Sequence, residues 1–235
     1  MSFITDIQTS WKESLGFFAK QELKNLVLVS LNTFRRAAKI VLWNFGAVFF
    51  CLGLGLVLIG LLFETIPYIN ELFFPLCSFA ILFATFIWSL ASRVSTERKD
   101  FAYFKLYLPR FFGYLVIVFI ASFFSFIPIR VRFFLIQSFL NFAIFFFLDA
   151  EYALKNIFIS IFNGLKMVMY FFPFLIVFPL SWFLISEYVI RAFSFGFFSI
   201  IPIVFDISMP LLSIVIYSAL YTKIKHSNYR LFFKS

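Results

Sequence analysis

Six long stretches of this chain are apolar and carry almost no charge, and they constrain its fold more than any other feature. A bilayer's hydrocarbon core is about 30 Å thick, so a helix rising about 1.5 Å per residue needs roughly 20 apolar residues to cross it. The stretches fit or nearly fit that length. We therefore predict membrane-spanning helices at about 40–63, 72–92, 111–129, 132–148, 167–186 and 204–222.

The composition agrees with a membrane protein. Of the residues, 63% are hydrophobic and 13% are charged, whereas soluble domains carry about 25% charged residues. An ordinary soluble domain is thereby excluded. The predicted fold class is all-α, a polytopic transmembrane bundle of three helical hairpins over 40–222. An amphipathic N-terminal segment (1–39) precedes it and a basic cytoplasmic tail (223–235) follows it.

The basic residues predict the orientation of this bundle. With both termini in the cytoplasm, seventeen Lys and Arg residues fall on the inner side and three on the outer side. Such residues concentrate in the cytoplasmic loops of membrane proteins. We therefore expect a multi-pass protein of a bacterial inner membrane, with both termini in the cytoplasm. The formal net charge of +9 then reflects topology and contact with anionic lipids, not binding of nucleic acid.

Two segments have the pattern of helices that lie in the membrane interface. In the first, apolar residues recur at helical spacing around Trp11, which we expect to anchor the helix at headgroup depth. In the second, 149–166, one arc is apolar (Ile157, Leu165) and the opposite arc polar. Asp149 is predicted to be the N-cap of this second helix.

The residues Phe147–Glu151 (Phe-Leu-Asp-Ala-Glu) and the following Ala153–Lys166 form an acidic step into an amphipathic helix before the fifth span. In this motif and in its layout the chain resembles uncharacterised six-span bacterial inner-membrane proteins. These are similar to the YciC family and to the membrane domain found beside glycerophosphodiester phosphodiesterases. The resemblance implies a bacterial membrane location and no established active site. Because the phosphodiesterase domain itself is not in this sequence, it implies no hydrolase activity.

Gly46, Gly53 and Gly60 recur every seven residues on the first predicted span. Seven residues are nearly two helical turns, so the three glycines form a smooth stripe that another helix can approach closely. The stripe serves either a partner, which includes a second copy of the chain, or packing within this protein's own bundle.

Asp206 is the carboxylate embedded in the apolar stretch 200–212. A charge at the bilayer centre costs at least roughly 2.5 kcal/mol, so such residues usually have a role. One interpretation is a proton or cation site, with Gln137 and Asn141 of the fourth span as polar partners. The other places Asp206 at the outer membrane boundary, where it caps the last helix after Pro202.

No catalytic constellation is recognisable in the sequence. The single histidine, His226, lies in the basic tail, and no phosphate-binding loop or nucleophile elbow is present. We expect no cofactor, metal site or catalytic residue. The leading hypothesis is a non-enzymatic scaffold, assembly factor or auxiliary subunit that docks a membrane protein. The alternative is a component of a small-solute, lipid or ion transporter, with a membrane enzyme third.

Overall fold

The computed structural model describes residues 3–16, 20–63, 69–97, 107–123, 129–150, 154–175, 184–185, 188 and 200–226. Regular structure in this part of the chain is entirely helical, which confirms the all-α prediction at that level. The helices are α1 (Phe3–Gly16), α2 (Lys20–Phe63), α3 (Ile69–Thr96), a 3-10 turn (Leu108–Arg110), α4 (Phe111–Ser122), α5 (Ile129–Asp149), α6 (Leu154–Tyr170) and α7 (Ile200–His226). The predicted fifth span between 176 and 183 and the tail beyond 226 lie outside the described residues.

Two segments, Gln21–Gly55 and Pro75–Thr96, are long and apolar enough to cross a membrane by length and composition. They differ in burial. In the apolar 18-residue window of each segment, 6% of the first is buried, against 39% of the second. The first segment belongs to α2, whose 44 residues make a rod of about 66 Å. One bilayer crossing therefore uses only part of α2.

The pair formed by α2 and α3 is an antiparallel hairpin. The ring of Phe34 lies 5.3 Å from that of Trp88, and the ring of Phe49 lies 6.4 Å from that of Phe83. As the chain advances along α2, its partners on α3 step backwards. This is the packing expected of the first predicted hairpin.

The helices α3 and α7 run in the same direction. Trp88 donates its indole N–H to the carbonyl of Leu211 over 2.9 Å, and Arg93 donates to the Thr222 hydroxyl over 2.6 Å. Partners on both helices advance together, so the C-terminal ends of α3 and α7 lie side by side.

The helix α5 runs parallel to the same two helices. The hydroxyls of Ser138 and Tyr217 are 2.8 Å apart, and Lys225 donates to the Asp149 carboxylate over 2.7 Å. The C-terminal ends of α3, α5 and α7 therefore meet at one end of the bundle.

The helix α6 folds back along α5, and this pair has the most extensive contact in the described structure. At Gly164 the backbones approach so closely that an added Cβ would lie 2.8 Å from the backbone nitrogen of Ala143. The buried arc of α6 contains Ile157, Ser160 and Gly164, while Leu165 is exposed. This buried arc packs on α5, where small residues allow the close approach, while Phe158 and Leu165 of the predicted apolar arc are exposed. The interfacial position of α6 stays a prediction.

The structure also shows where the helices near this hairpin begin and end. The helix α6 passes through 166–167 without a break, where the interfacial helix was predicted to end and the fifth span to begin. Asp149 is not the N-cap of α6, since it closes α5 and α6 begins at Leu154. Local spacing favoured a cap, but the partners of the Asp149 carboxylate come from distant helices.

The N-terminal helix α1 packs on α6. Trp11 donates its indole N–H to the carbonyl of Met169 over 2.8 Å, and its ring stacks on that of Phe172 with centroids 6.1 Å apart. Because 40% of the Trp11 side chain remains exposed, it is both a tertiary contact and a surface residue. Its predicted role as an interface anchor stays a prediction.

Candidate functional site: a buried charge cluster at the meeting point of three helices

Where α3, α5 and α7 end together, they bring four charged side chains into contact, which we call the charge cluster: Arg93, Glu97, Asp149 and the partly exposed Lys225. Arg93 is at its centre, with 4% of its side chain exposed, against 12% for Asp149. The guanidinium meets the carboxylate at two points, Nε to Oδ1 at 3.2 Å and Nη2 to Oδ2 at 2.6 Å. Such a fork-to-fork arrangement is the strongest form of ion pair in proteins.

The Asp149 carboxylate accepts further hydrogen bonds from α7. Lys225 Nζ lies 2.7 Å from Oδ2, and the Tyr221 hydroxyl donates to the same oxygen over 3.1 Å. The ring of Tyr221 also faces the guanidinium carbon of Arg93, 4.6 Å from the ring centroid, which adds a cation–π contact. One carboxylate thus joins all three helices.

Glu97 completes the cluster one turn beyond Arg93. It pairs with Arg93 on the same helix and accepts a hydrogen bond from Lys225 Nζ over 3.0 Å. Two cations therefore face two anions, and the cluster carries no net charge. Buried ions need this degree of pairing, because an unpaired buried charge costs several kcal/mol.

The position of Asp149 explains why it needs several cations. It ends α5, where the helix dipole already concentrates partial negative charge and disfavours a carboxylate. Burial also opposes ionisation, but the charges of Arg93 and Lys225 and their hydrogen bonds outweigh it and hold the pKa of Asp149 below its usual value. The carboxylate is therefore ionised at neutral pH.

The C-terminal end of α5 is held from a second side by Arg110. Its Nη1 donates to the carbonyls of Phe147, Leu148 and Ala150 over 2.8, 2.8 and 2.6 Å. The guanidinium stacks on the Tyr107 ring, 4.4 Å from the ring centroid. A cation at these carbonyls satisfies acceptors that the helix itself leaves open.

The chemistry of the cluster is structural. The adjoining cavity, lined among others by Leu90, Arg93 and Asp149, has a volume of about 10 Å³, which is room for about one water molecule. A substrate does not fit there, and the charges are engaged with one another. Among the described residues, no group of three or more His, Cys, Asp or Glu side chains could hold a metal ion.

The predicted glycine stripe lies on the open side of α2. At Gly46 and Gly53, no atom of the described structure lies within 4 Å of where a Cβ would stand. Gly60 also lies in α2, but its surroundings are not described. The close approaches between helices occur instead at Gly164 against Ala143 and at Gly113 against the Phe147 ring.

The predicted polar residues lie on two helices that the structure packs together, α5 and α7. Asn141 is buried, with 3% exposure, and its Nδ2 has no hydrogen-bond partner among the described residues. The side chains of Gln137 and Asp206 lie outside what is described. In the register set by the Ser138–Tyr217 contact, Asp206 is displaced by about 21 Å along the bundle axis from Asn141.

The backbone also corrects one interpretation of Asp206. This residue lies inside α7, which begins at Ile200 or earlier and continues to His226. It is therefore not the N-cap of the last helix. The apolar residues that surround it in sequence carry the helix past Pro202, so the predicted helix start was too late.

The charge cluster was not predicted from the sequence, although the sequence contains a signal for it. Arg93, Asp149 and Lys225 each follow the end of a predicted span by one to three residues, on the side predicted to be cytoplasmic. Opposite charges at equivalent depths of neighbouring helices can pair. Which helices are neighbours is a matter of tertiary packing, so the pattern alone did not identify the pairs.

Comparisons with known proteins give no further assignment, since no family model, curated protein or solved structure matches the chain.

Proposed function

We propose that this protein is a multi-pass protein of a bacterial inner membrane that acts without catalysis, as a scaffold, assembly factor or auxiliary subunit. In this proposal the glycine-bearing side of α2 docks a membrane-protein partner or a second copy of the chain. The charge cluster holds the rest of the bundle in a fixed shape behind it.

The exposed apolar surface of α2 carries the proposal. Leu42, Trp43 and Phe50 are exposed by 70, 81 and 71%. Gly46 lies open between Trp43 and Phe50, and Gly53 lies open one turn beyond Phe50. In water such a surface would be a strong aggregation hazard. In a bilayer it suits lipid chains or another helix, and open glycines favour the helix because backbones can approach closely there.

The shared direction of α3, α5 and α7 supports the multi-pass arrangement. In the predicted topology these helices contain the second, fourth and sixth spans, which all run from the outer side to the cytoplasm. Their C-terminal ends should then meet at the cytoplasmic face. The contacts of Arg93 with Asp149 and of Lys225 with Glu97 join these ends.

The test compares Gly53→Leu with Ala47→Leu, each in the full-length protein released from nanodiscs made from its own membrane. Both positions face away from the described packing, but Ala47 lies on another side of α2. We expect native mass spectrometry to show a stoichiometric partner or dimer with the wild type and Ala47→Leu, and its loss with Gly53→Leu. Equal complex formation by both variants would contradict the proposal.

Transport is the second candidate function, because Asn141 is buried with an unpaired amide nitrogen. An unsatisfied buried donor usually has a role or an unobserved partner. In this alternative Asp206, Gln137 and Asn141 follow one another along a path through the bundle. Asp206→Asn would then abolish proton- or ion-coupled uptake in proteoliposomes without changing thermal stability, whereas a scaffold would keep its partner unchanged.

A further inference from the structure

A second cavity lies beside the charge cluster, between the start of α2 and the C-terminal ends of α3 and α7. Its volume is about 340 Å³, and its lining includes Glu22, Asn25, Leu26, Thr96, Thr222 and Lys223. Ligand pockets begin at about 300 Å³. The cavity is therefore large enough for a small polar group, unlike the water-sized space within the charge cluster.

The mouth of this cavity carries one acid and one base. Glu22 of α2 and Lys223 of α7 form an ion pair across it, and the two side chains remain 43% and 37% exposed. Burial lowers the pKa of Lys223, so its ammonium gains from any additional anion that comes within reach. A ligand with both an anionic and a cationic group can engage both residues.

The cavity also opens onto apolar surface. Val29 lines it and is 46% exposed, and Leu26 forms a second apolar part of the lining. A ligand seated in the cavity could therefore rest the start of a hydrocarbon chain on Val29. This combination of charged mouth and apolar continuation is the pattern of an amphiphile site.

We propose that this cavity binds the headgroup of an amine-bearing zwitterionic phospholipid, with the phosphate on Lys223 and the ammonium on Glu22. A primary ammonium offers N–H donors to the Glu22 carboxylate, which a quaternary ammonium cannot. The site should therefore prefer an ethanolamine headgroup to choline or to an anionic glycerol headgroup. This inference is independent of whether α2 docks a partner.

The experiment uses the full-length protein in phosphatidylcholine nanodiscs that contain phosphatidylethanolamine or phosphatidylglycerol, with bound lipid measured by native mass spectrometry. Loss of a hydrogen bond to a charged group weakens binding by about tenfold. We expect the wild type to retain phosphatidylethanolamine about tenfold better than phosphatidylglycerol, by the same reasoning. Glu22→Gln should remove this preference, and Lys223→Gln should weaken retention of both lipids.

Two controls separate lipid binding from stability. Lys24→Gln alters a cation on the same end of α2 that does not line the cavity, so lipid retention should match the wild type. The exchange Glu22→Lys with Lys223→Glu keeps an ion pair but reverses its polarity, so thermal stability should survive while the ethanolamine preference is lost. Retention by Glu22→Gln and Lys223→Gln equal to that of Lys24→Gln would overturn the proposal.

Added phosphoethanolamine distinguishes a lipid from a soluble compound with the same chemistry. If the free headgroup displaces the lipid at concentrations that leave Lys223→Gln unaffected, the site recognises the headgroup from either source. If it does not, the acyl chain on α2 is required. Displacement that is identical in the wild type and in Lys223→Gln would contradict the assigned site.

Discussion

Arg93 and Asp149 lie 56 residues apart in the chain and form a two-point ion pair where α3 and α5 end. The pair is buried, and Lys225 and Tyr221 of α7 complete it from a third helix. A single carboxylate thus fixes the axial positions of three helices relative to one another. Sliding any of them by one turn would leave a buried charge unpaired.

Asp149→Asn should destabilise the protein strongly. Breaking a buried ion pair by removing one partner costs about 3 kcal/mol, because the remaining charge stays buried. Chemical unfolding in detergent micelles measures the free energy of unfolding. The double variant Arg93→Met with Asp149→Leu should be less affected than Asp149→Asn, since it removes both charges, and Lys155→Gln on the exposed surface should match the wild type.

The same residue predicts a loss of stability in acid. The pKa of Asp149 is lowered in the folded protein, so its contribution is complete above the unfolded pKa of about 3.9. The contribution disappears as the pH falls through the lower folded pKa. We expect the free energy of unfolding of Asp149→Asn to fall less than that of the wild type below about pH 4. Parallel curves for the two proteins would contradict this assignment.

Gly164→Ala should separate α5 from α6. The added methyl would lie 2.8 Å from the Ala143 nitrogen and 2.9 Å from its Cβ, and such overpacking costs about 1–3 kcal/mol. Gly46→Ala is the matched control on the open side of α2, where the helix should gain about 0.5–1 kcal/mol from lower backbone entropy in the unfolded state. Thermal unfolding of both variants in the same detergent checks the difference, and equal melting temperatures would refute it.

Cysteine labelling should place the charge cluster on the cytoplasmic side. We expect Lys24→Cys and Lys155→Cys, both exposed, to react with a membrane-impermeant maleimide only in inside-out vesicles, after Cys51 and Cys77 are replaced by alanine. The ion pair of Glu22 with Lys223 joins the start of α2, near Lys24, to the end of α7. Lys225 in turn holds Asp149 at the end of α5, six residues before Lys155, so both sites should share one side. Thr65→Cys, in the predicted outer loop, should react from the opposite side.

The positions of the helices could be predicted from the sequence because they depend on local properties. Long apolar stretches with few charges require helices wherever backbone groups leave water, and the described parts of the predicted spans are almost entirely helical. The approximate ends of α3 and α5 also followed, since Arg93 and Asp149 interrupt those stretches. Helical periodicity likewise identified α1 around Trp11 and the amphipathic α6.

Contacts between helices could not be predicted in this way. The pattern of 149–166 indicates an apolar face but does not tell whether lipid or another helix covers it. The structure packs Ile157 and Gly164 towards α5 and leaves Phe158 and Leu165 exposed. Spacing drew attention to Gly46 and Gly53, yet Gly164, which stands without a regular partner in sequence, is the glycine in close contact. The effect of a glycine on helix packing depends on which atoms of a neighbouring helix lie opposite it, and the sequence of its own helix does not identify those atoms.

By itself, the sequence determined that this chain is helical and apolar, because hydrophobic stretches and charge interruptions act over a few turns of one helix. The tertiary structure alone decided that Asp149 forms ion pairs with Arg93 and Lys225 and does not cap α6. It also decided that Glu22 and Lys223 face each other across a cavity. The physical reason is that electrostatic pairing depends on distances of a few ångströms between residues far apart in the chain, and only the packing of the helices sets those distances.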